Sequence, residues 1–192
     1  MARPREFDEQ RALTAAMETF WSLGYEGTST RDLCASTGLG PSSLYNAFGD
    51  KRSLYLRALG RYHETSTAEQ VALLQGPGPV KDRLRRLMVH AVDADLDEAG
   101  RRGCFTVNAA VEAPLHDQEV RDLAARSFDQ VADALHAALA EGSRTGEIRA
   151  SGDLRALTRR VQSTYYGLRV LGRVQRDRQA LLDTVESTLA EL

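Results

Sequence analysis

No run of apolar residues in this 192-residue chain is long enough to cross a bilayer or to act as a secretory leader, which predicts a cytoplasmic protein with no membrane partner. Only two cysteines are present, Cys34 and Cys104, too few for a disulfide framework. Charge of one sign is missing too: the formal net charge is −2, so bulk charge announces no nucleic acid. The four histidines, His63, His90, His116 and His136, are scattered, without a Cys, Asp or Glu partner at a metal-ligand offset. Neither a glycine-rich phosphate loop nor a serine nucleophile elbow occurs. No metal, cofactor or catalytic residue is therefore expected. Repeats, low-complexity tracts and credible strands are lacking as well, and the chain reads as all-α.

What is present is ordinary for a globular protein: 42% hydrophobic and 27% charged residues, in a length that suits one or two small domains. A basic Arg3-Pro4-Arg5 arm precedes the first helix; it reads either as a groove-binding arm or as a disordered terminus. Asp8 to Leu23 carries Ala12, Leu13, Ala16, Met17 and Phe20 at helical spacing, and Gly24 ends it. Trp21 reads as packing.

The stretch from Thr28 to Phe48 reads as two short helices around a tight turn. Thr28 or Ser29 caps the first, Gly38 stops it, and Pro41 fits the first position of the second. Leu44 and Phe48 share a buried face, leaving Ser42, Ser43, Tyr45, Asn46 and Ala47 around the rest. A short helix with an apolar inner stripe and a small polar outer face suits the DNA major groove. Asp50 caps a fourth helix with Lys51 in its first turn, a suitable place for a phosphate. Its stripe of Leu54, Tyr55, Ala58, Leu59 and Tyr62 runs on toward Leu73. Residues 1–62 hold eight basic and seven acidic side chains, so a DNA reading rests on where charge sits.

Gly24-Tyr25, Thr28-Ser29-Thr30, Asp32-Leu33, Gly38, Ser43-Leu44-Tyr45-Asn46, Phe48-Gly49 and Asp50-Lys51, in that order, resemble the TetR/AcrR family of one-component regulators. The resemblance spans about Phe7 to Tyr62. It implies an N-terminal three-helix DNA-binding domain over residues 1–50, a linking helix over 51–74, and a ligand-binding and dimerisation bundle over 75–192. It further implies a homodimeric repressor released from a palindromic operator by a small-molecule effector. Thr28, Thr30, Arg31, Pro41, Ser42, Ser43, Tyr45 and Asn46 are the expected DNA contacts, with Lys51 on a phosphate. Ala47 departs from the pattern, since many relatives carry His there; this puts one contact in question, not the fold.

Past the Gln75-Gly-Pro-Gly-Pro79 break, Val80–Leu96 reads as an amphipathic helix and Cys104–Ala113 as a buried central one, closed by Pro114. Asp117–Glu141 forms a long helix, 142–152 a loop, and Leu154–Leu171 and a helix from Asp177 complete the chain. Val161, Leu168, Leu171, Leu182, Val185 and Leu189 give the last two helices stripes that suit a four-helix dimer interface, although packing within one chain accounts for them equally. Met88, Cys104, Phe105, Asn108, Glu112, Phe128, Tyr165, Tyr166 and Arg169 are the candidates for an effector pocket, or else simply fill the core. Gly103-Cys104-Phe105 followed by Asn108 resembles the electrophile-sensing, NemR-like sub-group. Arg101 and Arg102 beside a helix start favour a thiolate at Cys104, while an apolar helix favours an inert thiol. Cys34 reads as packing. Two other readings compete: a small-molecule or thiol-reactive sensor with vestigial DNA binding, and a helical enzyme using Glu112 and His116.

Overall fold

Local signals set most helix boundaries. The computed structural model describes residues 8–97, 102–113, 117–149 and 152–192. The Arg3-Pro4-Arg5 arm, Arg101, Pro114 and His116 lie outside these residues. Helix α1 is Glu9–Gly27, capped by the Asp8 carboxylate and interrupted at Gly24. With φ 74° and ψ 168°, Gly24 occupies a region essentially closed to other residues. Helices α2 (Thr30–Thr37), α3 (Pro41–Phe48) and α4 (Lys51–Tyr62) follow. A π-helical turn over His63–Thr67 joins α4 to α5 (Ala68–Gln75). After the Gly-Pro break come α6 (Val80–Leu96), α7 (Phe105–Glu112), α8 (Gln118–Thr145), α9 (Leu154–Leu171) and α10 (Arg178–Ala190). Among the described residues there is no strand.

Two hydrophobic cores form. The body core gathers Leu74, the inner faces of α6, α8, α9 and α10, Ile148 and Leu192. The other core begins in α1–α4 and ends in the body, taking in Cys104, Phe105, Ala109 and Val120. Six of the twelve aromatic residues meet along this seam. Tyr55 lies edge-on to Phe20 at 5.1 Å and to Phe105 at 5.7 Å, and 4.9 Å from Tyr25; Trp21 and Tyr62 meet at 5.0 Å. Aromatic pairs of this geometry add to the burial of their rings. The head, α1–α3, is thus welded to the body.

Three expectations are corrected. Helix α8 runs past Glu141 to Thr145, because Gly142 stays helical where Ile148 packs on it; a Cβ there would lie 2.3 Å from the Ile148 Cγ1. The left-handed Gly146 (φ 78°) is what ends the helix. Helix α7 is not buried all round: Phe105, Thr106, Asn108 and Ala109 face inward, but Val111 is 80% exposed. Finally, Val161, Leu168, Val185 and Leu189, expected at a dimer interface, are buried in the protomer's own core. Their stripes face α6 and α8, which take up the apolar face first. Leu182 is half-buried against the same core, and only Leu171 of the six is exposed.

Candidate nucleic-acid interface

The head presents α3 on a rigid support. Ser29 and Asp32 form a reciprocal capping box at the start of α2: the Ser29 N–H donates to Asp32 Oδ2 at 2.9 Å and the Asp32 N–H to Ser29 Oγ at 3.2 Å. The Ser29 hydroxyl, which donates to the same Asp32 Oδ2 at 2.5 Å, and after it the Ser29 N–H hold the Asp32 carboxyl below its usual pKa. Gly38 ends α2 in the left-handed conformation (φ 72°), its N–H donating to Cys34 O. Leu44 and Phe48 anchor α3 in the core. Pro41, Ser42, Ser43 and Asn46 then stand exposed, and Arg31 stands exposed on α2. Tyr45 and Thr30 share a hydroxyl–hydroxyl hydrogen bond of 2.5 Å, tying α3 to the start of α2.

Lys51 begins α4 with its ammonium 4.5 Å above the Tyr25 ring, a cation–π contact that fixes it beside the head. Thr28, expected among the DNA contacts, is buried and donates to Gly24 O at 2.6 Å, so it braces the kink in α1 and does not stand with the exposed side chains of α2 and α3. Arg57, which motif reasoning missed, is the inner brace. Its guanidinium lies 4.7 Å over the Phe48 ring, donates to Ala47 O and pairs with Glu9, so it ties together α1, α3 and α4. Nothing in its sequence neighbourhood distinguishes it from a solvated arginine.

Between head and body, polar contacts reinforce the aromatic seam. The Trp21 indole N–H donates to Gly103 O at 3.0 Å, and the same carbonyl accepts from Arg169 Nη2 at 2.8 Å. Gly103 has φ 67°, and a Cβ there would meet Arg173 Cδ at 2.6 Å, so only glycine fits. Arg102 lies over the Trp21 ring and pairs with Glu18. Arg52 bridges to Asp117 at 2.9 Å and Glu119 at 2.6 Å, linking α4 to the start of α8. Spacing along the chain carries no sign of these long-range pairs.

The comparisons with known proteins bear on this arrangement. The family described as bacterial regulatory proteins, tetR family, matches residues 12–58, and the tetracyclin repressor-like C-terminal domain matches residues 80–187. The chain belongs to the TetR family. Its relatives include the uncharacterized HTH-type transcriptional regulator YezE of Bacillus subtilis, 34% identical over the full length of both chains. The HTH-type transcriptional repressor BdcR of Escherichia coli is 29% identical over 66% of this chain and 62% of its own. Among solved structures, a cysteine variant of the TetR-family regulator CifR in complex with a 26-bp operator duplex superposes with a TM-score of 0.86, at 29% identity and covering 98% of each chain. As a TetR-family member the protein is a DNA-binding transcriptional regulator, and its α1–α3 carry the helix-turn-helix.

The effector candidates of this TetR-family regulator separate into groups. Cys104, Asn108, Glu112 and Arg169 line a cleft of about 140 Å3 between α7 and α9. Asn108 holds the cleft's floor, its amide donating to Arg102 O at 2.7 Å and its oxygen accepting from Arg173 at 2.9 Å. Met88 and Tyr165 are buried in the body core and do not line this cleft. Phe105 is likewise fully buried, in the seam. Phe128 and Tyr166 pack edge-on at 4.8 Å, away from that cleft's lining. The Cys104 thiol is buried and accepts from the Tyr62 hydroxyl at 3.6 Å, and burial raises the Tyr62 pKa well above its ordinary value. Arg102, expected to activate this thiol, instead engages Glu18 and Trp21.

Sequence reasoning listed Arg169 but missed its partner. The guanidinium lies 2.8 Å from the Asp95 carboxylate, and both side chains are more than nine-tenths buried. Burial pushes the Asp95 pKa up to about 6 against the opposing pull of Arg169. Asp95 comes from a polar-looking stretch, where only the packing of α9 against α6 marks it out.

Proposed function

We propose that the protein is a homodimeric, non-enzymatic cytoplasmic repressor that leaves a palindromic operator when a small-molecule effector binds. The exposed polar face of α3, held by the Tyr45–Thr30 bond over Leu44 and Phe48, carries this reading. Ser42, Ser43, Tyr45 and Asn46 enter the major groove, Thr30 and Arg31 contact its edge, Pro41 starts the helix against the backbone, and Lys51 lies on a phosphate. Two heads related by a two-fold axis then read half-sites about 34–36 Å apart.

The division of labour follows the chain: residues 1–50 read DNA, 51–74 transmit, and 75–192 bind effector and dimerise. The outward face of α9, where Ser163, Val170 and the following Val174 are exposed, supports dimerisation through α9 and α10; Val174 is 78% exposed. The α7–α9 cleft lined by Cys104, Asn108, Glu112 and Arg169 is the effector site, because Arg169 and Trp21 share the Gly103 carbonyl. An occupant that shifts α7 there moves an anchor of α1. It favours release only through different affinities for the two conformations.

The test is selection of bound duplexes from a random pool, followed by affinity at two salt concentrations. A palindromic site whose affinity falls steeply with salt is the expected result. Tyr45→Ala should weaken binding at least tenfold while the protein stays folded. A folded dimer that enriches no sequence overturns the reading.

A further inference from the structure

A cavity of about 280 Å3 lies at the head–body seam, on the far side of Glu112 from the α7–α9 cleft. Leu23, Tyr25, Tyr55 and Val120 give it apolar and aromatic walls. The Glu112 carboxylate stands at its edge. Among the described residues it pairs with no lysine or arginine, and its one hydrogen bond comes from the Tyr25 N–H at 3.3 Å. It packs so closely on the Gly24 backbone that a Cβ at Gly24 would lie 3.0 Å from Glu112 Oε2.

Acidic side chains outnumber basic ones in the cavity's lining. Glu26, Glu112 and Asp117 all line it, whereas Arg52, its one basic lining residue, is held by Asp117 and Glu119 together. Lys51 already uses the Tyr25 ring as a cation platform, at 4.5 Å. Apolar walls, tyrosine rings and a carboxylate with no cationic partner among the described residues form a set that accepts a positive charge on an apolar body and rejects an anion.

We infer that the seam cavity binds an organic cation, a substituted or quaternary ammonium carrying an apolar or aromatic group, with Glu112 as its counter-charge. Its walls come from both sides of the seam: Leu23 and Tyr25 from α1 of the head, Glu112 and Val120 from α7 and α8 of the body. An occupant therefore senses the angle between head and body, and cation binding is coupled to operator binding. That coupling rests on the operator-binding function proposed above; the cation site does not.

Isothermal titration calorimetry of the full-length protein with benzyltrimethylammonium tests the site, with benzyl alcohol as the uncharged counterpart and phenylacetate as the anionic one. One ammonium per chain is expected, with both counterparts at least tenfold weaker. Glu112→Gln keeps an acceptor for the Tyr25 N–H but loses the charge, and should weaken the ammonium at least tenfold with the melting temperature unchanged. Leu23→Trp, at a half-exposed position on the wall, should block binding without touching the carboxylate. No binding by the folded wild type, equal binding of benzyl alcohol, or unchanged affinity in Glu112→Gln each overturns the site.

Operator affinity with and without the ammonium then tests the coupling. A shift of at least threefold is expected, matched by the same factor in ammonium affinity when operator is added. Operator binding with no ammonium binding removes the cation site and leaves the regulator intact. Ammonium binding that depends on Glu112, in a protein that selects no DNA, keeps the site and removes the repressor. Both activities without mutual effect overturn the coupling.

Discussion

The head and the body use polar groups in opposite ways. In the head, Ser29, Asp32, Asp50 and Thr37 satisfy the backbone at helix ends, near the surface, while the outward side chains of α3 are left with open hydrogen-bonding capacity. In the body, Asp95 and Arg169 are drawn inside as a close ion pair, and Arg169 also donates to the Gly103 carbonyl. The contrast teaches where each region is sensitive. Ser42, Ser43 and Asn46 on the outer face of α3 can change at little cost to folding, because they stand exposed. The interior pair of the body cannot, because removing one partner strands a desolvated charge.

The largest expected effect falls where the head does resemble the body, in its core. Leu44→Ala should cost roughly 2–5 kcal/mol in a denaturant titration and abolish operator binding, since α3 has little besides Leu44 and Phe48 to hold it. Next is the buried carboxylate. Asp95 titrates near 6 in the folded chain, against about 3.9 when unfolded. The folded state therefore binds the proton more tightly, and its contribution is present below about pH 4 and lost as pH rises through 6. The loss amounts to as much as about 3 kcal/mol. Denaturant titrations across pH 4–6.5 should show this fall in the wild type and a flatter curve in Asp95→Asn. Asp32 and Asp50 in the head act in the opposite direction, because hydrogen bonds from Ser29 and Ser53 lower them.

A smaller effect is expected at the helix caps. Ser29→Ala breaks the box at the start of α2 and should lower stability by about 1 kcal/mol, read as a shift in melting temperature. Smallest of all in stability is Ser42→Ala on the exposed face of α3. It should move stability by no more than about 0.5 kcal/mol while weakening operator affinity measurably. A large stability loss there would erase the distinction between the two regions.

Legibility followed the same line. The head could be read because its determinants are local: Ser29 with Asp32 three residues on, Gly38 at a left-handed stop, Pro41 at a helix start, Leu44 and Phe48 four apart. Thr28 was misjudged for the converse reason. Its hydroxyl is as suitable for DNA as that of Thr30, and only the kink at Gly24 turns it inward. In the body, a helical stripe announces that a face will be buried but not against what. Val161, Leu168, Val185 and Leu189 suit a partner chain as well as their own, and α6 and α8 cover them. Glycine was ambiguous in the same way: Gly142 reads as a loop opening, and is a helix residue making room for Ile148.

The sequence by itself determined the helical class, the helix-turn-helix and the side chains that α3 leaves on its outer face, since capping, glycine geometry and i, i+4 spacing act over a few residues. Tertiary structure alone decided the rest. It gathered half the aromatic residues into one seam, paired Asp95 with Arg169, hung Trp21 and Arg169 on one carbonyl, and left Glu112 beside a cavity between head and body. The polar partners among these lie some 65–90 positions apart along the chain and meet only when packing the apolar faces fixes how the helices cross.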